Sequence, residues 1–398
     1  MAEDKKPLKV LVVAGEASAD LHAFHLLEKI GEERALTLVG IGGDALVGLG
    51  LKPIKHARDM AVVGLTEAVK KIPQTLKLFN ELEALAKHER PDCVLLLDLP
   101  DFNLRLAPRF KKLGIPVIYY ISPQVWAWRS GRVKQMAACL DLLLLILPFE
   151  ESWYAERAPK NLRTEYVGHP VTEEIPDLPY APVENRVVLM PGSRESEWEN
   201  LFGPMIQAAA LLGRGNPRLE FRLPLASTLR QSALAAEYLS DHGPYAEALA
   251  SLGDRFRVVN GAAHESLREA CAALIASGTA TLEAAVVGTP MVVAYKVSGG
   301  TAFLVKHVIR YRGPVAIVNI IHGGLGTLDR TVPEVLQNDV TPEALASALR
   351  QVMAEPTWGI QKEALARTRP LLQGPGMPVA NAAGAILRFL SERSGRPA

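Results

Sequence analysis

"RVVLMPGSRESEWEN", residues 186–200, carries the reading of the fold. A β-branched apolar run ends at Met190, stops at Pro191 and turns through Gly192. It delivers Ser193 and Arg194 just ahead of a segment in which Trp198, Leu201, Phe202, Met205, Ile206 and Ala209 recur at three- and four-residue spacing. The pattern predicts a strand, a tight turn and an amphipathic helix. Ser196 and Glu199 have the S-x-x-E spacing of a capping box and place the helix start there. The first turn of a helix offers free N–H groups and the positive end of its dipole, which favour an anion. Arg194 adds a planar donor fork suited to phosphate oxygens. An ordinary turn carrying a surface arginine would have the same sequence.

The alternation of apolar run and helical period extends both ways. "LKVLVVA" (8–14), "DCVLLLDL" (92–99), "PVIYYIS" (116–122) and "DLLLLIL" (141–147) precede it; "EFRLPLA" (220–226), "RFRVVNG" (255–261), "AALIASG" (272–278) and "PMVVAYK" (290–296) follow. Strands apolar on both faces, alternating with helices, predict parallel sheets covered on both sides. The stretch 168–185, with Pro170, Pro176, Pro179 and Pro182, reads as a linker. Two domains are therefore expected, 1–180 and 181–375, with a helix at about 376–398 packing back on the first. A cleft between the carboxyl ends of the two sheets would hold the ligand. His169 in "VGHP" reads as a hinge residue rather than a ligand.

The bulk composition agrees with two cores. The chain has 398 residues, 48% apolar and 22% charged, with a formal net charge of +1. Such a balance gives no global attraction to nucleic acid. Cys93, Cys139 and Cys271 are odd in number and widely spaced, and read as buried thiols in a reducing compartment. The longest apolar run, "LLLLILPF" (142–149), is too short to span a bilayer. The N-terminal run ends at Glu16 and makes a poor signal peptide.

Three further stretches carry candidate chemistry. In "IASGTATLEAAVVGTP" (275–290) a second strand meets a helix at Ser277, Gly278 and Thr279, and Glu283 follows one turn later, able to accept from a ribose diol. A solvated glutamate near a helix start is the plain alternative. In "CVLLLDLPDFN" (93–103) a strand ends at Asp98, with Asp101 and Asn103 beyond. A half-buried carboxylate at that place suits a general base; capping the next helix is the other role open to it. "AGEASAD" (14–20) puts Glu16 and Ser18 on the same rim. There is no H-E-x-x-H, Cys/His cluster or D-x-D, so no metal ligand set and no cofactor is expected.

In order along the chain, "AGEAS", "DLPDFN", "YYISPQVWAWRSGRVK" (119–134), "LPFE" (147–150), "VGHP", "MPGSR", "SGTATLEAA" and "PEVLQ" (333–337) resemble the lipid-A-disaccharide synthase family over about residues 8–390. The "SPQVWAW" segment is the most specific, since general α/β packing does not demand Trp126 and Trp128 there. The resemblance implies a GT-B fold of two facing Rossmann-like domains. It implies an inverting glycosyltransferase that moves 2,3-diacylglucosamine from UDP to the 6-hydroxyl of 2,3-diacylglucosamine 1-phosphate. The products would be a β-1,6 disaccharide phosphate and UDP. It makes Asp98 the base, Arg194 the diphosphate ligand and Glu283 the ribose ligand. Asn319 would lie on the nucleotide side, with Ser193, Ser277, Gly278 and Thr279 giving turn contacts to phosphate. Glu16, Ser18, Asn103, Glu334 and Gln337 complete the expected substrate contacts. Two departures stand out: Ala19 replaces the usual glycine of "AGEASGD", and the loop 319–337 is longer than the family's connection.

Acylated substrates imply a membrane surface. In 60–79, Val62, Val63, Leu65, Val69, Ile72 and Leu76 lie beside Lys70, Lys71 and Lys77, the form of an interfacial helix, although a core-facing helix has the same pattern. "FLVKHVIRYR" (303–312) is a second such segment. The expected place is peripheral, on the cytoplasmic face of the inner membrane of a Gram-negative bacterium, with a homodimer left open. Other readings are a muramyl-peptide transferase or a non-hydrolysing 2-epimerase using UDP-N-acetylglucosamine, and a sugar-nucleotide-binding protein without turnover. The glycine run "GIGGDALVGLG" (40–50) lacks a clear G-x-G-x-x-G and does not follow the first strand, so a dinucleotide enzyme is set aside.

Overall fold

The computed structural model describes residues 6–60, 72–297 and 313–395. The chain forms two compact units, one of Met1–Glu173 with Leu372–Ala398, the other of Glu174–Leu371. The break falls ahead of residue 180 for a hydrogen-bonding reason. His169 N–H donates to Leu372 O within the first unit, while Arg369 Nη2 donates to Ile175 O within the second.

In the first unit the strands are β1 (Leu8–Ala14), β2 (Leu36–Gly42), β3 (Lys52–His56), β4 (Cys93–Leu97), β5 (Val117–Tyr120), β6 (Leu142–Leu145) and β7 (Arg163–Tyr166). They pair in parallel in the order β3-β2-β1-β4-β5-β6-β7. The four central runs read from sequence are almost wholly buried. β3 and β7 form the edges, and their polar sequences, KPIKH and RTEY, fit an edge position. The C-terminal helix Pro378–Ser394 lies against the helix Ala17–Glu33. Ion pairs tie it to the sheet: Arg388 to Glu165 at 2.5 Å and Arg393 to Asp141 at 2.8 Å.

The second unit holds β8 (Val183–Met190), β9 (Glu220–Leu225), β10 (Phe256–Asn260), β11 (Ala270–Ala276), β12 (Met291–Tyr295) and β13 (Glu334–Leu336), parallel in the order β10-β9-β8-β11-β12-β13. The helix Glu195–Gly215 buries the stripe read from its spacing; Trp198 stacks on Phe202 with centroids 4.7 Å apart. On the other face Val188, Ala273, Ile275, Met291 and Val293 form a separate cluster with the helix Thr279–Val287. Cys93 and Cys139 are buried, whereas Cys271 is only partly so. Among the described residues no helix is long and apolar enough to cross a membrane.

At "GIGGDAL" the helix start is capped from within the first unit. The carboxylate of Asp20, almost fully buried, accepts from the N–H of Gly43 (2.5 Å), Ala45 (3.0 Å) and Leu46 (3.4 Å). The seat a phosphate would need at the start of the helix Asp44–Gly48 is filled by the protein itself. Asp20→Ala should orphan these donors and cost about 2 kcal/mol. Amide exchange at Gly43, Ala45 and Leu46 should quicken accordingly, and unchanged exchange there would contradict the capping role.

Candidate active site

In each unit the chain order reverses between two neighbouring strands, and the loops carrying Glu16, Asp98, Arg194 and Ser277 follow the carboxyl ends of those strands. β1 and β4 are neighbours with Ala14 opposite Leu97, so "GEAS" and "DLPDFN" emerge side by side. A Cβ on Gly15 would fall 2.3 Å from Leu99 Cδ1, which shows how closely the two loops approach. β8 and β11 are neighbours with Met190 opposite Ile275, so "PGSR" and "SGT" also emerge side by side. Switch points of this kind create the crevice in which open α/β sheets bind ligands.

In the first unit, Glu16 is the half-buried N-cap residue of the helix Ala17–Glu33, and Ser18 is exposed in its first turn. Ala19 is buried inside that helix, where its methyl is accommodated. Asp98 is half-buried and left-handed, with φ 54°, and Leu99 follows at φ 42°. The next helix, Pro100–Lys112, has Leu99 at its N-cap, whose side chain makes no capping bond. Asn103 is fully buried; its amide donates to Leu97 O (2.9 Å) and Asp98 O (2.7 Å). Asn103 is therefore engaged with backbone, where a substrate contact was expected. Asp101 pairs with Arg129 at 2.9 Å and also with Arg132; these cations hold its carboxyl below the usual range against the opposing effect of burial.

Trp126 is almost wholly buried, its Nε1–H donating 3.1 Å to Glu150 Oε1. Glu150, from "LPFE", also accepts from the N–H of Ile146 (3.1 Å) and Leu147 (3.0 Å). A buried carboxylate thus ties the "SPQVW" loop to the start of the helix Pro148–Arg157. The two motifs are far apart in sequence and meet because they follow the neighbouring strands β5 and β6.

The second unit corrects the reading of the capping box. Its helix begins at Glu195 with Arg194 as N-cap residue, and Glu197, not Glu199, reaches back. Glu197 Oε2 accepts from Ser193 N–H (2.8 Å) and Arg194 N–H (3.2 Å). A Cβ on Gly192, which is left-handed at φ 123°, would fall 2.2 Å from that oxygen. The turn is pinned further by Trp198 Nε1–H on Gly192 O (3.1 Å). These N–H groups are thus already satisfied, and what the turn presents outward is the exposed Ser193 and the Arg194 guanidinium, 71% exposed. The helix Thr279–Val287 differs, since no side chain caps it. Gly278 and Thr279 are exposed, and a Cβ on Gly278 would meet nothing within 4 Å. Ser277 is half-buried, its Oγ 3.5 Å from Val315 O. Of the two helix starts, the one at "SGT" is thus without a capping side chain, and Arg194 lies in the loop after the neighbouring strand β8.

Glu283 lies on the same helix, its Oε2 3.1 Å from Nε2 of His264. The carboxylate holds the imidazole pKa above its usual value, more than burial lowers it. No spacing in the sequence pointed to His264. Asn319 is fully buried and exchanges hydrogen bonds with Val332, donating to its carbonyl and accepting from its N–H, both at 2.9 Å. It also donates to Glu334 Oε1 at 2.8 Å, and Glu334 accepts from the N–H of Val315 and Ala316. Both residues therefore close the base of the long loop, where nucleotide contacts were expected. Gln337, left-handed at φ 53°, follows β13 and accepts weakly from Val297 N–H at 3.4 Å. Val62, Val63, Leu65 and Val69, and the segment 303–312, lie outside the described residues. Ile72 begins the helix Ile72–Glu89, on which Leu76 is 48% exposed.

Comparison with known proteins places this geometry. The family described as lipid-A-disaccharide synthetase matches residues 10–383. A lipid-A-disaccharide synthase of Anaeromyxobacter dehalogenans (strain 2CP-C) is 40% identical over 385 residues, covering 93% of this chain and 95% of its own. One from Geobacter metallireducens is 35% identical, covering 97% and 98%. Among solved structures, a UDP-GlcNAc 2-epimerase from Neisseria meningitidis aligns with TM-score 0.59 at 13% identity, over 97% of this chain and 100% of its own. The calicheamicin glycosyltransferase CalG4 aligns with TM-score 0.61 at 14% identity, over 98% and 100%. At those identities the likeness speaks for the fold of two parallel-sheet, Rossmann-like domains.

Proposed function

The chain belongs to the lipid-A-disaccharide synthetase family, a family of glycosyltransferases, and on that premise we propose the reaction in detail. The protein transfers 2,3-diacylglucosamine from UDP to the 6-hydroxyl of 2,3-diacylglucosamine 1-phosphate. The carrying observation is Asp98, a half-buried carboxylate at the carboxyl end of β4, on the switch point of the first unit. Asp98 takes the proton of the acceptor hydroxyl as that oxygen bonds to the anomeric carbon and the bond to UDP breaks. A single displacement of this kind inverts the anomeric centre. The second unit takes the nucleotide. The uncapped "SGT" helix end and Arg194 meet the diphosphate, and Glu283 meets the ribose hydroxyls. Those groups offset the leaving charge, with no divalent cation needed.

Both substrates carry acyl chains, so the protein is proposed to work at a membrane surface, where exposed Leu76 would face lipid. Purified protein with both lipids in detergent micelles, followed by mass spectrometry, should yield disaccharide phosphate and UDP, with or without chelator. Consumption of UDP-N-acetylglucosamine in their place would favour an epimerase or muramyl-peptide transferase instead. Dependence on added metal would overturn the metal-free proposal.

Arg194→Ala should raise KM for the UDP-sugar roughly tenfold or more, as expected for a lost charge-assisted bond to phosphate, with a smaller change in kcat. Arg194→Lys should recover part of the loss. Equal KM in Arg194→Ala and wild type would leave the diphosphate to the "SGT" turn alone.

A further inference from the structure

The corner that presents Asp98 holds two consecutive left-handed residues, neither of them glycine. Aspartate tolerates that region; leucine does so rarely, because its Cβ crowds the following carbonyl. Such backbone persists only where surrounding contacts over-determine it. Here every carbonyl of the corner has a partner. Leu97 O accepts from Asn103 Nδ2, and Leu99 O from the N–H groups of Phe102 (2.9 Å) and Asn103 (2.8 Å). Asp98 O accepts twice, from Asn103 Nδ2 at 2.7 Å and from the hydroxyl of Tyr119 at 2.5 Å. Tyr119 stands on β5, beside β4, with its ring almost fully buried. Burial drives its phenol well above the ordinary value, so the hydroxyl remains a donor throughout the working range of pH.

We propose that Tyr119 and Asn103 are positioning residues: together they clamp the backbone carbonyl of Asp98 and so hold its carboxylate in place for proton abstraction. The inference rests on Asp98 being the base. Tyr119 neither touches substrate nor moves a proton. Its hydroxyl crosses from β5 to fix the far side of a strained turn, while Asn103 fixes the near side from the first turn of the following helix.

Tyr119→Phe removes one oxygen and leaves the ring. It should lower kcat by about one to two orders of magnitude, the scale expected when a reacting group is misplaced by about 1 Å. KM for the UDP-sugar, bound by the other unit in this reading, should change less than twofold. Asn103→Ser should do the same. Leu99→Gly provides the decisive arm, because glycine adopts the left-handed region without strain and lessens the need for a clamp. The double variant Leu99→Gly/Tyr119→Phe should recover a large part of kcat. A kcat for Tyr119→Phe within twofold of wild type would overturn the inference. So would a loss that Leu99→Gly fails to recover, or one matched by a loss of folded protein in circular dichroism. Asp98→Asn in parallel separates the two claims: if it retains turnover the base assignment itself fails. If it loses turnover while Tyr119→Phe does not, only the clamp fails.

Discussion

Asp98→Asn is expected to lower kcat about 10³-fold, within the range contributed by general-base catalysis, and to leave the fold and UDP affinity intact. Asparagine is close to the same size and, like aspartate, accepts φ near 54°, so the corner after β4 keeps its shape. What disappears is the basic carboxylate proposed to take the proton. The groups proposed to hold the nucleotide lie in the second unit, so KM for the UDP-sugar should stay near wild type while turnover falls. That split distinguishes a base from a residue that merely binds substrate. Asp98→Glu should also be poor, since one more methylene moves the carboxylate along a corner held at both 98 and 99. Turnover within tenfold of wild type in Asp98→Asn would remove Asp98 from the mechanism and send the search to Glu16, on the adjacent strand end.

Most strands readable from sequence have largely buried side chains, although the exposed edge strand β10 reads as one too. β1, β4, β5 and β6 announce themselves as apolar runs, as do β8, β9, β11 and β12. β3 and β13 escape notice because an edge strand pairs on one side only, and KPIKH or EVL carries too little apolar signal. The site divides on similar lines. Asp98, Arg194 and Glu283 are legible because a strand end or a helix start fixes where a side chain must emerge. Glu150, Tyr119 and Asp20 are not, since their partners lie 24, 21 and 23 residues away in sequence and only the sheet brings them together. Glu197 is a near miss. The capping signature was read two residues late, because S-x-x-E matches the rule in residue type while Arg194 holds the actual N-cap position.

Glu150 leads to the second large effect, on stability and its dependence on pH. Burial raises its pKa from 4.5 to about 7, opposed by the N–H donors of Leu147, Ile146 and Trp126 and by Ser122. Below pH 4.5 the carboxyl is protonated in folded and unfolded chains alike. Between there and about 7 the folded chain keeps a proton that the unfolded chain releases, so stability falls as pH rises through that window. A rise from 4.5 to about 7 corresponds to roughly 3 kcal/mol. Glu150→Gln cannot titrate. At pH 5 it should be about 1 kcal/mol less stable than wild type, because its amide N–H₂ faces the Trp126 N–H where an acceptor is needed. At pH 8 the order should reverse, since the glutamine chain escapes the cost of a buried anion. Glu150→Ala orphans three donors and should lose about 3 kcal/mol at pH 5, loosening the "SPQVW" loop along with the helix start at Pro148. Urea unfolding of the three proteins from pH 5 to 8 measures this directly, with amide exchange at Ile146 and Leu147 assigning the change to this site. Parallel pH curves for wild type and Glu150→Gln would mean that the three donors outweigh burial and that the folded protein holds an ionised Glu150 throughout.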